Sequence, residues 1–458
     1  MAKQIKSKFK EKNLNSTHSK LDRKFIYLAC LVFFMKLVII FNIPGKEMGS
    51  VQAIHFVKGI WLGADGENYL TGYKALLADG IFSKAYILNY WPAGYPLLIY
   101  FLSFFSQELV LTLLAILQSL IFSLATYFFA RSLFETKSKN YTYLIYVFVL
   151  LNPTLSLSSL TIGYESLAAS AIMVSIALII KDFSQNQTKS FSYLFLLSSL
   201  VYGLIGFMQP RLLLTGFIFH LLWFFFRYKV GASFLVFTIG ILITLLIPST
   251  LVFRNYVATD TLSISTNLGE TMAVGAGPGA TGAYKKRVMD IPCDISGNAS
   301  QKDRQITKCV VDWYLANPGT TLELSAKKAI YFWSPWTGSL AYGTMARNPW
   351  VGLSPAIKIA GASTEGFKLV TGIVGIVISW IWLIAGLGLF FYGAIILYRF
   401  HLFERKLAIF SISVVITQMI ITMATIGDHR FRVPIMPVSL MLQAIALKFI
   451  LKLKPESI

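Results

Sequence analysis

The residues best suited to chemistry in this sequence are two carboxylates that follow the first hydrophobic segment. Asp65 and Glu67 lie between Gly63 and Tyr69, and spacing predicts a helix around 67–79. A carboxylate at a membrane boundary is costly to desolvate, which suggests a function. Asp65 could act as a general base or a metal ligand. The alternative is that both acids stabilise the N-terminus of that helix.

Three further charged groups occur at predicted turns between later hydrophobic segments. Glu165 opens a long apolar run, where a helix-start acid would look the same. Arg211 could bind a phosphate or pair with an acid of a neighbouring loop. The turn 427–434 carries four titratable side chains, those of Asp428, His429, Arg430 and Arg432. Packing does not require that density of charge, although internal pairing in a solvated turn would also account for it.

A fourth group begins the second long polar stretch. Arg254, Asn255 and Tyr256 precede a polar run that ends at Asn267, and small residues follow over 275–282. Small residues and free backbone N–H groups let a ligand approach the main chain closely. These residues are predicted to contribute to a binding site; a flexible loop is the alternative for the glycine-rich part.

Composition places the chain in a membrane. Its 458 residues are 55% hydrophobic and 14% charged, whereas a soluble domain has about 25% charged residues. Apolar stretches recur that could cross a hydrocarbon core of about 30 Å. The candidate spans are 25–42, 107–130, 141–156, 165–181, 191–207, 211–226, 232–252, 369–398, 407–426 and 433–451. The expected fold is an all-α polytopic membrane protein with about ten transmembrane helices.

The net charge of +20 follows from topology. A basic tail, 1–24, precedes the first span, and further basic clusters recur in alternate short loops. The positive-inside rule then makes both termini cytoplasmic and places the polar stretches 43–106 and 253–368 outside. Anionic lipid and topology account for the basic tail, so no nucleic-acid partner is expected.

These loops divide the chain into an N-terminal transmembrane module and a C-terminal set of helices. The predicted regions are the tail 1–24, the module 25–252 with its external loop 43–106, the large external loop 253–368, the helices 369–451 and the tail 452–458. The two external loops are expected to form the active-site face. The apolar segment 94–105 is short, so it is expected to lie along the membrane interface.

The cysteines and histidines limit which disulfides and metal sites the sequence can form. Cys293 and Cys309 share the second external loop and could form a disulfide in an oxidising compartment, or stay as two thiols. Cys30 lies in the first span, where we expect it to be a packing residue. No spacing resembles a zinc site, a P-loop, a dinucleotide fingerprint or a nucleophile elbow.

External carboxylates combined with external arginines suit a reaction on an anionic, lipid-linked donor. In their order, the motifs resemble the GT-C superfamily of integral membrane glycosyltransferases. They are most similar to the bacterial branch related to protein O-mannosyltransferases and the lipid A aminoarabinose transferase. The matching features are Asp65, Glu67 and Tyr69, the segment Pro92 to Leu97, Glu165, Arg254-Asn255-Tyr256, and Arg430, Arg432 and Pro434.

The resemblance implies an inverting transfer of a sugar from a polyprenyl phosphate to a lipid, glycan or protein acceptor. The site would face the exterior or periplasm of a bacterial inner membrane, among membrane lipids. Asp65 would be the catalytic base, with Glu67 and Glu165 as helpers; Asp65 and Glu165 would hold a divalent cation such as Mg²⁺ or Mn²⁺ if one takes part. The donor phosphate would be bound by Arg211, Arg254, Arg430 and Arg432. Substrate or loop contacts are expected from Tyr69, Tyr95, Glu165, Asn255, Tyr256, Asn267 and His429.

The chain departs from the family in two ways. Gly66 separates the two acids, where the family often has adjacent acids. The large external loop is also shorter than the soluble domains of some members, which favours a small or lipidic acceptor.

Two other functions fit parts of the pattern. A transporter or flippase for lipid-linked sugars would place ionisable residues near the bilayer midplane and break helices there. Here such residues are mainly in loops, with Lys36 as the exception. An O-antigen polymerase or ligase would use arginines and a lipid-diphosphate donor, without the early acidic loop.

Overall fold

The fold is known from a computed structural model. It describes residues 23–42, 55–57, 59–62, 65–134, 139–185, 191–227, 233–283, 291–334, 373–399 and 402–451. Most of the predicted basic tail 1–24, the tail 452–458 and much of the two predicted external loops lie outside these residues.

The first half of the chain combines helices with three very short strands. In order these are α1 (Arg23–Asn42), β1 (His55–Val57), β2 (Ile60–Leu62), α2 (Gly66–Asp79), α3 (Ile87–Tyr90), α4 (Gly94–Ser103), α5 (Val110–Phe134), α6 (Lys139–Leu150), α7 (Pro153–Leu157), β3 (Thr161–Ile162), α8 (Glu165–Gln185) and α9 (Tyr193–Met208). A single 3₁₀ turn, Ser158–Leu160, joins α7 to β3.

The second half, as far as it is described, is helical. Its elements are α10 (Leu213–Arg227), α11 (Ser233–Thr259), α12 (Leu268–Val274), α13 (Ala299–Ala316), α14 (Pro318–Trp333), α15 (Ile373–Arg399), α16 (Leu402–Ala424) and α17 (Met436–Ile450). Two 3₁₀ helices, Pro210–Leu212 and His429–Ile435, precede α10 and α17.

The polytopic helical class is confirmed, while the predicted count of about ten spans is not. Eight helices among the described residues are long and apolar enough to cross a membrane, or nine if α6 and α7 form one bent span. Each of the ten predicted segments overlaps a helix. Helix α9, however, has only 16 residues, so it falls below the length of an ordinary span.

The span predicted over 141–156 is broken. Helices α6 and α7 meet at an angle of 51°. Asn152 precedes Pro153, and its side chain accepts a hydrogen bond from the Leu155 N–H at 3.0 Å. A residue before proline avoids the helical region, and this amide caps the new helix, so the chain ends one helix and begins another.

Glycines bring the central helices together. A Cβ added at Gly203 on α9 would lie 3.1 Å from the Thr244 carbonyl of α11, and one at Gly216 on α10 would lie 2.8 Å from the Tyr202 ring. Small residues at such crossings let helix backbones approach, which is how helices associate in a bilayer. These contacts form the packed bundle above which the charged residues lie.

Outside the bundle the structure confirms the predicted helix of the first external loop. The helix expected over 67–79 is α2, and it ends before Gly80, which has a φ of 77°. Helices α13 and α14 follow each other directly, and Asn317-Pro318 separates them. The short helix α12 ends just before the small residues of 275–282.

The three cysteines fall into two classes. Cys293 and Cys309 form a disulfide, which joins the segment just before α13 to that helix. Cys30 is exposed on the surface of α1, so our expectation that it is a packing residue is wrong. An apolar span with lipid on one side needs no protein partner there.

Candidate functional site

A small sheet brings the two predicted acids together. Strand β2 pairs in parallel with β3, with Leu62 opposite Ile162. Asp65 and Glu165 each follow these paired residues by three positions, and each stands where a helix begins. Parallel strands leave a sheet in the same direction, so the two carboxylates emerge side by side.

Arg430 lies between these carboxylates. Its Nη2 is 2.5 Å from Asp65 Oδ2, and its Nε is 2.9 Å from Glu165 Oε1. All three side chains are mostly buried, with exposed fractions of 12% for Arg430, 4% for Asp65 and 14% for Glu165. The cluster therefore holds two negative charges and one positive charge where water screens them weakly.

The carboxylate of Asp65 does not cap α2. Asp65 occupies the N-cap position, yet its side chain makes no cap hydrogen bond. It contacts Arg430 instead, 365 residues along the chain. The helix-start alternative for Asp65 thus does not describe its side chain.

The turn that carries Arg430 is held from both sides. Asp428 is fully buried, and its Oδ1 accepts a hydrogen bond from the Arg430 N–H at 2.8 Å. Gln418 on α16 donates from Nε2 to the Phe431 carbonyl at 3.2 Å. Gly427 packs so closely that an added Cβ would lie 2.7 Å from the Gly282 carbonyl oxygen. Arg430 therefore extends from a backbone with little freedom to move.

Arg211 joins the same cluster. It donates a hydrogen bond to the Tyr164 hydroxyl, and its guanidinium carbon lies 3.5 Å from the centroid of the Phe431 ring. Its buried Nε has no partner among the described residues. Because Tyr164 and Phe431 are the chain neighbours of Glu165 and Arg430, Arg211 lies beside the ion cluster. Among the described residues Arg211 contacts a phenol and a ring, and no ion pair joins it to an acid.

Tyr69 and Tyr95 line the cluster on the side of α2 and α4. Their ring centroids are 4.9 Å apart, and both rings are fully buried. Burial raises the pKa of Tyr69 well above its ordinary value, and the charges of Asp65 and Glu165 raise that pKa further. Tyr69 consequently stays a neutral phenol at physiological pH.

Glu67 lies apart from this cluster. Its side chain is exposed on the first turn of α2, although it is only two residues from Asp65. Residues two positions apart at the start of a helix point to different sides of it, so Asp65 is buried while Glu67 is exposed. The two acids at the start of α2 therefore have different surroundings.

The guanidinium of Arg254 is hydrogen-bonded to the segment 81–89, which precedes α4. Its guanidinium donates to the carbonyls of Ile81 at 3.0 Å and Leu88 at 3.3 Å, to the Asn89 side chain at 3.0 Å, and to the Ser83 carbonyl. Such contacts favour a structural role that fastens α11 to this segment. Phosphate binding by Arg254 stays a prediction that they do not support.

Arg432 caps a helix. Its Nη1 donates to the Trp333 carbonyl at 2.9 Å and its Nη2 to the Ser334 carbonyl at 3.4 Å, at the C-terminal end of α14. Arginine satisfies the free carbonyls at a helix end and complements their partial negative charge. Phosphate binding by Arg432 likewise stays a prediction.

The remaining predicted residues are spread over neighbouring turns. His429 is buried next to Asp428, with 3.6 Å between its Nδ1 and Asp428 Oδ1. Asn255 is buried and donates to the Ser263 and Ile264 carbonyls at 2.8 and 3.1 Å. Tyr256 is half exposed. Asn267 precedes α12, where its Oδ1 accepts a hydrogen bond from Ser265 at 3.3 Å. None of these contacts involves Asp65.

Sequence reasoning missed two features that position the site. The β2–β3 pairing leaves little trace, because strands of three and two residues show no clear alternation. Gln418 did carry a signal, since an amide within an apolar span usually has a specific partner. That partner is the turn bearing Arg430.

A divalent cation fits this site poorly. Within the described part of the chain, no group of three or more His, Cys, Asp or Glu residues could hold a metal ion. The carboxylates of Asp65 and Glu165 both face the Arg430 guanidinium, a cation already in place. The predicted Mg²⁺ or Mn²⁺ stays untested, and we derive no step through it.

No family model matches the chain, and no curated protein matches it. The GT-C resemblance therefore depends on the ordered motifs alone, and the function must be argued from the geometry of the site.

Proposed function

We propose that this protein is a membrane glycosyltransferase that uses a polyprenyl-phosphate sugar. The observation that carries the proposal is the cluster of Asp65, Arg430 and Glu165, built from three distant parts of the chain at one end of a lipid-embedded bundle. Burying two carboxylates and a guanidinium is costly, and packing alone does not require it. Such a cluster would suit a reaction that moves a proton and releases a phosphate.

In the proposed reaction, Asp65 accepts the proton of the acceptor hydroxyl. The acceptor oxygen forms a bond to the anomeric carbon, while the bond from that carbon to the phosphate oxygen breaks on the opposite face. The sugar is thus transferred with inversion, and the electron pair of the broken bond leaves with the polyprenyl phosphate. One carboxylate suffices because the leaving phosphate is a stable anion that needs positive charge more than a proton.

Arg430 and Arg211 would supply that positive charge. Arg430 donates a hydrogen bond from Nη2 to Asp65, while its Nε lies 2.9 Å from Glu165 Oε1 and makes no hydrogen bond among the described residues. The buried Nε of Arg211 likewise makes no hydrogen bond among the described residues. A guanidinium can hold a carboxylate and a phosphate at once through different N–H groups. Arg430 therefore links the base to the leaving group.

The proposal is tested by a transfer assay. Purified protein in detergent receives radiolabelled polyprenyl-phosphate sugars and a membrane extract as acceptor. We expect label to move with the wild type and not with Asp65→Asn. The matched control is Asp312→Asn, the same change at an exposed position on α13, which should transfer like the wild type. Normal turnover by a well-folded Asp65→Asn variant would remove Asp65 as the base.

One observation favours a second candidate, a transporter of lipid-linked sugars. The bent α6–α7 pair and the buried Lys36, which donates to Ser159 at 3.0 Å, place a broken helix and an ionisable group together. If no monophosphate donor supports transfer, the same protein should be reconstituted in vesicles and tested for lipid-linked sugar translocation. Transfer from a lipid-diphosphate donor alone would instead favour the polymerase or ligase.

A further inference from the structure

A buried set of polar side chains lies behind β3, and the proposed reaction does not use it. Gln118 on α5 and Tyr95 on α4 are both fully buried among apolar neighbours. A buried amide and phenol are costly unless every polar atom is paired. The hydrogen-bond partners of Gln118 and Tyr95 therefore show which part of the chain these side chains position.

Gln118 is paired through both ends of its amide. Its Nε2 donates to the Ser159 carbonyl at 3.1 Å and to the Thr161 carbonyl at 3.0 Å. Its Oε1 accepts the Tyr95 hydroxyl at 2.9 Å. That hydroxyl in turn accepts the Gly163 N–H at 2.9 Å. One amide and one phenol thus fix three backbone groups of a five-residue segment.

This segment leads directly to Glu165. A Cβ built on Gly163 would lie 2.3 Å from Glu165 Oε2, so the carboxylate lies directly over the Gly163 backbone. A shift of Gly163 would therefore move the carboxylate that contacts Arg430 at 2.9 Å. The orientation of Glu165 depends on the backbone that Gln118 and Tyr95 hold.

The same segment is also held from α1. Lys36 donates from Nζ to Ser159 Oγ at 3.0 Å and lies 4.2 Å from the Phe122 ring centroid. Ser119, one residue beyond Gln118, lies with its Oγ 3.2 Å from Ser159 Oγ. Side chains from three helices, α1, α4 and α5, therefore make hydrogen bonds to this short segment.

The geometry points to Gln118 and Tyr95 as positioning residues for Glu165, acting through the backbone of 159–163. In kinetic terms this inference rests on the proposed function, because it concerns the rate of the same transfer. In structural terms it stands alone, since it states which contacts hold the segment before α8.

The test removes one oxygen atom. Tyr95→Phe keeps the ring packed against Tyr69 but deletes the hydroxyl that joins Gln118 to Gly163. The matched control is Tyr146→Phe, which deletes an equally buried hydroxyl that donates to the Phe25 carbonyl at 2.6 Å, away from this segment. Amide hydrogen exchange of a peptide spanning 159–165 is measured beside kcat and the donor KM.

We expect exchange in this peptide to quicken about tenfold or more in Tyr95→Phe and to stay unchanged in Tyr146→Phe. We expect kcat to fall about 10- to 100-fold in Tyr95→Phe with a donor KM within about threefold of the wild type. A loss of general stability would affect both variants and would not separate kcat from KM. Gln118→Leu should give the same pattern, which keeps the test valid if one variant folds poorly.

Two results would overturn the inference. Unchanged exchange at 159–165 in both Tyr95→Phe and Gln118→Leu would show that these side chains do not hold the segment. Faster exchange with an unchanged kcat would show that the segment does not position Glu165. If the wild type transfers from no donor, the proposed function fails, and the exchange comparison alone decides the structural claim.

Discussion

At the scale of residues, the chemistry depends on one guanidinium between two carboxylates. Asp65, Glu165 and Arg430 could each be selected from the sequence, because charged residues beside apolar runs are uncommon. Their pairing could not, because it depends on a parallel ladder of only two residue pairs. Arg254 and Arg432 show the converse: residue type suggested phosphate binding, yet most of their described hydrogen bonds go to backbone carbonyls.

Removing Arg430 should destabilise the protein as well as abolish transfer. Arg430→Met leaves Asp65 and Glu165 facing each other without a cation, and breaking a buried pair costs about 3–5 kcal/mol. The double variant Arg430→Met/Glu165→Gln removes one of the orphaned charges, so we expect it to regain part of that loss. Thermal unfolding in detergent at neutral pH measures both. Equal stability of the single and double variants would contradict the coupling.

Substitution of Glu165, which belongs to the cluster, and of Glu67, which lies outside it, should differ in effect. Glu165→Gln keeps the size of the side chain but removes the charge that Arg430 contacts, so kcat should fall by about 100-fold or more. Glu67→Gln changes an exposed side chain outside the cluster, so transfer should stay within about threefold of the wild type. Initial rates with saturating donor distinguish them. A larger loss in Glu67→Gln than in Glu165→Gln would restore Glu67 to the catalytic role that the resemblance implies.

At the scale of elements, the helices followed from periodicity and the connections did not. Helix α2 was legible because its apolar residues recur at helical spacing. Its stop at Gly80 and the break at Asn317-Pro318 fall at residue types that commonly end and begin helices. The sheet escaped prediction because its pairing is non-local.

Lys328 on α14 gives this region a pH-dependent stability. The side chain is buried, and its Nζ donates to the Tyr314 hydroxyl at 3.0 Å. Burial lowers the pKa of Lys328 to about 7 from an ordinary value near 10.5. Between these values the unfolded chain holds a proton that the folded chain lacks, so stability rises with pH over this window. Below about pH 7 both states are charged and the full cost of burial remains.

We therefore expect Lys328→Met to stabilise the protein at pH 7 by about 1 kcal/mol or more, with the gain shrinking as pH approaches 10. The control is Lys327→Met, whose exposed ammonium pairs with Glu323 at 2.6 Å and should matter little at either pH. Unfolding temperatures of both variants and the wild type, measured at pH 7 and pH 10, test this prediction. A gain for Lys328→Met that stays constant between the two values would mean that burial of the charge is not its cause.

At the scale of the whole molecule, composition predicted the fold class, and the charged motifs predicted which end of the helical bundle carries the candidate site. Ten apolar stretches overlapped ten helical regions, but the count differs because α9 is short and α6–α7 bends. Residues from all along the chain converge at the end of the bundle where α8 begins and α16 ends. Connections between helices return the chain to that end, which is why Asp65, Glu165 and Arg430 meet although they are far apart in the sequence.

The orientation of this site is a prediction of charge distribution, and the native cysteines can test it. The positive-inside rule places 253–368 outside, and with it the disulfide between Cys293 and Cys309. In intact cells, a membrane-impermeant reductant followed by a membrane-impermeant maleimide should label the wild type. The double variant Cys293→Ser/Cys309→Ser keeps only Cys30, which lies within the α1 span, and should stay unlabelled. Labelling of the wild type only after the membrane is permeabilised would place the loop, and the Asp65–Arg430–Glu165 cluster with it, on the cytoplasmic side. A donor lipid presented at the outer face could not then reach Asp65, so this labelling bears on both orientation and substrate supply.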